Sequence, residues 1–178
     1  MVLFLHLTPV DLAMPLHWVA VLVLLDEVDV DLYSSKVSEQ YVPYIRPQDN
    51  GYKTDTRWLA ISNQQNNGLL FVSGSENYLS FSALHMENED FDTTPGLDYD
   101  NSNKSKHTID IKEKDLVQLN IDLGQRGLAG DDSWWSKPQE KYQFKGNQKH
   151  GYSFYIIPFE NKTADDFIPL SKTFYNQN

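Results

Sequence analysis

The residues best equipped for chemistry in this sequence stand together at Gly127-Leu128-Ala129-Gly130-Asp131-Asp132-Ser133-Trp134-Trp135. Two glycines let the backbone bend where a side chain would clash. Carboxylates and a hydroxyl hydrogen-bond sugar hydroxyls, and an indole face lies well against the C–H face of a pyranose ring. The set suits carbohydrate contact. It does not make a hydrolase alone, because retaining glycoside hydrolysis needs two carboxyl groups about 5–5.5 Å apart across the scissile bond. Consecutive side chains of an extended chain point to opposite faces, so Asp131 and Asp132 do not converge on one bond. They touch sugar directly or shape a turn by accepting nearby backbone N–H groups, and turn shaping is the role Asp most often plays. The same geometry separates the indoles: Trp135 is expected to pack and Trp134 to sit at the surface.

Strands must position this stretch. Val117-Gln118-Leu119-Asn120-Ile121-Asp122-Leu123 alternates apolar and polar residues and leads directly into it, the pattern of a strand with one buried face. Thr56–Ser62 and Leu69–Ser73 read as a hairpin around the Asn63–Gly68 turn, with Arg57, Leu59 and Ile61 on one face. Tyr78–Leu84 and Tyr152–Ile157 are further strands. Residues 86–106 read as a long surface loop, and Asn161–Asn178 as a loosely attached polar tail. Strands at short intervals with turns between them predict an all-β sandwich in one domain.

Composition narrows the partners. The 178 residues carry a formal net charge of −10, with 40% hydrophobic and 13% aromatic residues. That suffices for a core, and the charge repels phosphate backbones, so nucleic acid is not an expected partner. A neutral polyhydroxylated ligand meets no such repulsion. There are no cysteines, and His6, His17, His85, His107 and His150 are scattered without metal-ligand spacing, so no metal site is expected. His85 and His107 read as structural rather than as bases. The apolar run Trp18–Leu25 is too short to cross a bilayer as a helix and lacks the flanks of a signal peptide, so no membrane partner is expected. It reads as a buried strand or a short helix. Asp55, Arg57 and Trp58 form a second conspicuous block: Arg57 reads as half of an internal Arg–carboxylate pair or a bridge to another domain, and Trp58 as a core or interface residue. Asn103-Lys104-Ser105 and Asn161-Lys162-Thr163 match the glycosylation pattern but carry little weight.

Several blocks in order resemble the C-terminal domain of large β-galactosidases of glycoside hydrolase family 2. They are Glu39-Gln40-Tyr41-Val42-Pro43-Tyr44-Ile45-Arg46-Pro47-Gln48-Asp49-Asn50-Gly51, Lys53-Thr54-Asp55-Thr56-Arg57-Trp58, Phe81-Ser82-Ala83, Asn120-Ile121-Asp122 and Gly130-Asp131-Asp132-Ser133-Trp134. The resemblance covers residues 31–159. It implies a large antiparallel β-sandwich, the supersandwich similar to galactose mutarotase, here expected to be incomplete. It implies a parent enzyme that hydrolyses terminal β-galactosides with retention, using magnesium and sodium in a catalytic barrel that also holds both catalytic glutamates. It gives Trp134 the role of a platform on the leaving-group side of the sugar.

The front departs from the family, which has a Gly-Arg-Gly-Pro motif, an acidic residue, Tyr and Asp-Arg before the Tyr33 region. Residues 1–30 contain no Lys or Arg. They are expected to be non-native to the fold, as a shifted frame or truncated gene would produce. The sequence therefore predicts an atypical segment at 1–30, the sandwich domain at 31–159 and a polar tail at 160–178. Trp134, Asp131, Asp132 and Ser133 are the candidate sugar contacts. Asp55, Arg57 and Trp58 are structural or interdomain, no residue is catalytic, and no cofactor is bound on this chain. The expected partners are a galactoside and the parent enzyme's other domains, in bacterial cytoplasm or periplasm. The rival readings are a free-standing carbohydrate-binding module and, less well supported by the scattered His, a mutarotase.

Overall fold

The computed structural model describes residues 2–7, 18–24, 30–45, 50–74, 78–91, 107–127 and 136–169. Its strands are β1 (Val2–Leu7), β2 (Trp18–Leu24), β3 (Val30–Lys36), β4 (Lys53–Ser62), β5 (Gly68–Ser73), β6 (Leu79–Leu84), β7 (Val117–Asp122) and β8 (Phe154–Phe159). Short 3₁₀ turns link them. All the strand pairings are antiparallel. The expected all-β class therefore holds, and every strand read from the sequence is present within three residues.

β4 is the branch point. One edge pairs with β2, and the other pairs first with β6 at Lys53 and Thr56, then with β5 from Trp58 to Ser62. The main path runs β1-β7-β6-β4-β2-β3, and β5 and β8 branch off β4. Three residues of β4 span two of β6 between Lys53 and Thr56. This is a β-bulge, which bends a strand and increases its twist. Asp55 sits in it with φ 55°, a left-handed conformation that Asp tolerates better than most residues because its short side chain bonds locally. A second irregularity falls where β2 steps past Arg57.

The bend gives β4 two buried faces. Leu59 and Ile61 join Phe71, Leu79, Phe81, Val117, Leu119 and Ile121 in the first core, inside the curl. Trp58 and Ala60 join Leu70, Val72, Phe159 and Phe167 in the second. The reading of one buried face through Arg57, Leu59 and Ile61 captures half of this. The other half follows from packing on both sides of a forked sheet, where strands read as continuous apolar runs rather than alternations.

Polar residues fasten the β6–β7 pair. The Asn120 amide donates to Ser82 Oγ at 3.0 Å and to Asn88 Oδ1 at 3.2 Å, and accepts from Gln118 at 3.0 Å. Nearby, Lys114 pairs with Glu87, and with Asp90 at 2.6 Å. These two carboxylates hold its pKa above the usual lysine value through direct hydrogen bonds, Asp90's the larger. The Tyr152 hydroxyl donates to the Ile121 carbonyl at 2.7 Å and pins the approach to β8 onto β7.

At the two ends of the chain the structure adds to the sequence reading. β1 pairs with β7 along six residues, and β2 lies between β3 and β4. Within the expected tail, Phe167 is 2% exposed. Its ring stands edge-on to Trp58 at 5.6 Å and to Phe159 at 4.7 Å. One aromatic in a polar stretch thus anchors residues 160–169. Phe167→Ala should cost about 3–5 kcal/mol, the usual loss for a buried Phe. Urea denaturation should show a clear fall in midpoint, and an unchanged midpoint would detach this segment from the core.

Candidate functional site

The candidate sugar contacts Asp131, Asp132, Ser133 and Trp134, and Trp135 beside them, lie outside the described residues. Their two flanks lie within. β7 delivers the chain to Gly127, whose N–H donates to the Tyr142 carbonyl at 2.7 Å. A Cβ at Gly127 would lie 2.6 Å from Tyr142 Cβ and 3.4 Å from Pro138 Cβ. Only glycine permits that approach. Pro138 is buried, and its carbonyl accepts from the Gln143 side chain. The segments entering and leaving residues 128–135 are therefore tied together at their base.

Beside this base stand two exposed rings that the sequence reading did not single out. Tyr142 is 54% exposed and Phe144 41%. Lys141 Nζ lies 4.5 Å from the Tyr142 ring centre. Phe144 meets His150 edge-on at 5.1 Å, and His150 Nε2 bonds the Lys145 carbonyl at 2.9 Å. Their signal was the aromatic alternation in Lys141-Tyr142-Gln143-Phe144, within ten residues of Trp134.

The second block lies on the bulged part of β4. Asp55 is exposed in the bulge. The Arg57 guanidinium lies over the Tyr78 ring, 6.0 Å from its centre. Trp58 is fully buried in the second core, and its indole N–H has no acceptor among the described residues. His85 Nδ1 donates to the Leu116 carbonyl at 2.6 Å, and exposed His107 lies 3.4 Å from Asp110. Among the described residues no three acidic or His side chains gather into a metal site.

Sequence reasoning also missed Lys53. Its ammonium donates to Gln40 Oε1 and to the Gly51 carbonyl at 2.9 Å. It lies 5.5 Å from the ring centres of Tyr33 and Phe81. Gln40 is 4% exposed and also donates to Tyr33 Oη at 3.2 Å and to Ser35 Oγ. Burial penalises the charged form and pulls the Lys53 pKa down to about 8.

With the site's geometry in view, similarity to known proteins assigns the chain. Residues 27–156 match the family model described as beta galactosidase small chain. The chain belongs to this family. Among its relatives, the β-galactosidase of Priestia megaterium is 31% identical over 131 residues, 71% of this chain and 11% of that protein. That of Streptococcus thermophilus is 25% identical over 126 residues, again 71% and 11%. That of Vibrio cholerae serotype O1 is 32% identical over 110 residues, 62% and 9%. The small-chain region thus spans about a tenth of the length of the curated relatives it matches. The Gly130–Trp134 block, the Asn120–Asp122 block and the whole of β4 fall inside the matched range.

Two outcomes are expected here. Gly127→Val should open the base of the 128–135 stretch by forcing Tyr142 away, and limited proteolysis should then cut residues 128–151 faster than in the parent chain. Lys53 should make stability depend on pH. Between about 8 and 10.5 the unfolded chain keeps the proton that the folded chain has lost, so stability rises with pH across that window and is flat below it. The gain should be on the order of 1–2 kcal/mol after allowance for partial solvation of the site. Melting curves of the parent and Lys53→Met should diverge only in that window.

Proposed function

We propose that this chain is the small-chain part of a β-galactosidase that hydrolyses terminal β-D-galactose residues, and that it completes the sugar site without supplying bond chemistry. The carrying observation is the family match over residues 27–156, with Gly130-Asp131-Asp132-Ser133-Trp134 inside it. Trp134 stacks on the sugar, while Asp131, Asp132 and Ser133 shape the turn that presents it. Stacking and orientation add binding energy and position the glycosidic bond; they transfer no proton. The two carboxyl groups that cleave the bond belong to the remaining polypeptide of the enzyme, as do the magnesium and sodium sites. The pinned base at Gly127 and Tyr142 supports this reading, because a platform must be held still to position a substrate.

In this assignment the domain runs from residue 31 to 159, residues 1–30 are an addition to it, and residues 160–178 follow it. Asp55, Arg57 and Trp58 serve the bend of β4 rather than the sugar.

The test is calorimetric titration of lactose, with a chromogenic galactoside assayed in parallel. The parent chain should bind lactose weakly and turn over no galactoside. Trp134→Ala should lower the affinity at least tenfold, while Trp135→Ala should lower the melting temperature more than the affinity. Robust turnover would refute the assignment of catalysis elsewhere, and undiminished binding by Trp134→Ala would remove the platform. Strong lactose binding with no affinity for any β-galactosidase polypeptide would favour a free-standing carbohydrate-binding module.

A further inference from the structure

One stretch of the chain stands away from the cores and differs from the rest in charge. Every residue from 139 to 151 is exposed. Residues 136–151 carry Lys137, Lys141, Lys145 and Lys149 against a single carboxylate, Glu140. The whole chain has the opposite balance, a net charge of −10. Lys145 pairs with Glu140 at 2.6 Å. Among the described residues, Lys137, Lys141 and Lys149 have no carboxylate partner. Tyr142 and Phe144 stand between them as exposed rings, although taking such rings out of water would stabilise a fold. The Lys141 ammonium lies against the Tyr142 ring as a cation–π contact, so a cation and an aromatic ring are presented together.

This arm is shaped by its own turns. The Tyr142 N–H donates to the Gln139 carbonyl at 2.9 Å, and the Gln148 N–H to the Lys145 carbonyl at 3.2 Å. It is also rooted where the platform stretch is rooted. Residues 128–135 end where the arm begins, and the Gly127 N–H holds the Tyr142 carbonyl. A Cβ at Gly124 would lie 3.5 Å from Phe144 Cζ, so both rings are laid along the exit from β7.

We propose that residues 137–149 form a binding surface for the leaving-group side of the substrate and select galactosides whose leaving group is an anionic, carboxylate- or sulfate-bearing sugar. The inference rests on the platform reading of Trp134 above. The rings accept the C–H face of a sugar. Lysines act as compact point charges that meet an anion without a fixed geometry. Exposed charges beyond a Debye length of about 10 Å at 0.1 M salt are largely screened, so the local lysines govern an anion seated on the arm. A long polyanion such as nucleic acid would run past the arm onto the acidic remainder and be repelled. A single anionic sugar stays within it.

Titration calorimetry on the full chain compares two galactosides that differ at one carbon. Lactobionate carries a carboxylate on its leaving group, and lactitol carries a hydroxymethyl there. Lactobionate should bind about fivefold more tightly in low salt, the reach of an exposed ion pair. The two should converge near about 0.5 M sodium chloride, where such charges are screened. The double variant Lys141→Gln, Lys149→Gln should bind both ligands equally. Lys162→Gln, at an exposed lysine beyond β8, should keep the parent's preference. All three lysines are exposed, so both variants should melt with the parent. Lactose sulfated on its glucose unit, run against lactose, tells a sulfated from a carboxylated leaving group by which pair shows the larger gain. Equal binding of lactobionate and lactitol by the parent in low salt, or a preference that survives the double variant, would overturn the proposal. A parent chain that dimerises in low salt and is split by the double variant would assign the arm to a second copy's acidic surface and overturn it too. The platform fails separately. Undiminished lactose binding by Trp134→Ala removes the platform, whereas its loss, with lactobionate and lactitol bound equally by the parent, removes the arm alone. No binding of any of these ligands would overturn both readings.

Discussion

The fold turns on the bend in β4. A straight strand offers each edge to one neighbour, but β4 gives one edge to β6 and then to β5. The extra residue at Asp55 supplies the change of direction. Without it β5 and β6 would compete for the same ladder, and the sheet could not enclose a core on one side while burying Trp58 on the other. Everything that positions the candidate site follows from that fork. β6 carries β7, β7 leads to Gly127, and β5 carries β8.

Strands were legible because their side chains declare their surroundings. The alternation in Val117–Asp122 marks one wet face and one dry face, and that strand was found almost to the residue. The rest was hidden for definite reasons. Trp58-Leu59-Ala60-Ile61 are all buried, so periodicity cannot tell which residue faces which core. The left-handed geometry of Asp55 is a matter of backbone, and no neighbouring residue type announces it. Phe167 is one ring among acids and amides, and composition averages it away. Lys53 stands in a block that reads as polar, yet its partners are Gln40, the Gly51 carbonyl and the rings of Tyr33 on β3 and Phe81 on β6. The resemblance to family 2 galactosidases was readable because ordered short blocks survive where overall identity is near 30%.

Charge is distributed by consequence rather than by count. Lys114 stands between two carboxylates and gains from both. Lys53 has neutral acceptors and aromatic faces instead, and gives up part of its affinity for a proton to keep that place. Trp58 shows the same economy in neutral form. Its indole N–H goes without an acceptor among the described residues, a loss of about 1–3 kcal/mol set against the burial of a large ring between Phe167 and the β4–β5 face.

The pairing of β1 with β7 has a consequence in time. Leu7 meets Val117 and Val2 meets Asp122, so at least 110 residues separate partners in the ladder. A ribosome adding about 5–20 residues per second leaves β1 waiting on the order of 5–20 seconds for its neighbour. During that interval Val-Leu-Phe-Leu-His-Leu, an uncharged strand sequence, has no native ladder to join. The order of synthesis thus sets a period of exposure to chaperones and to other nascent chains that the finished sheet no longer reveals.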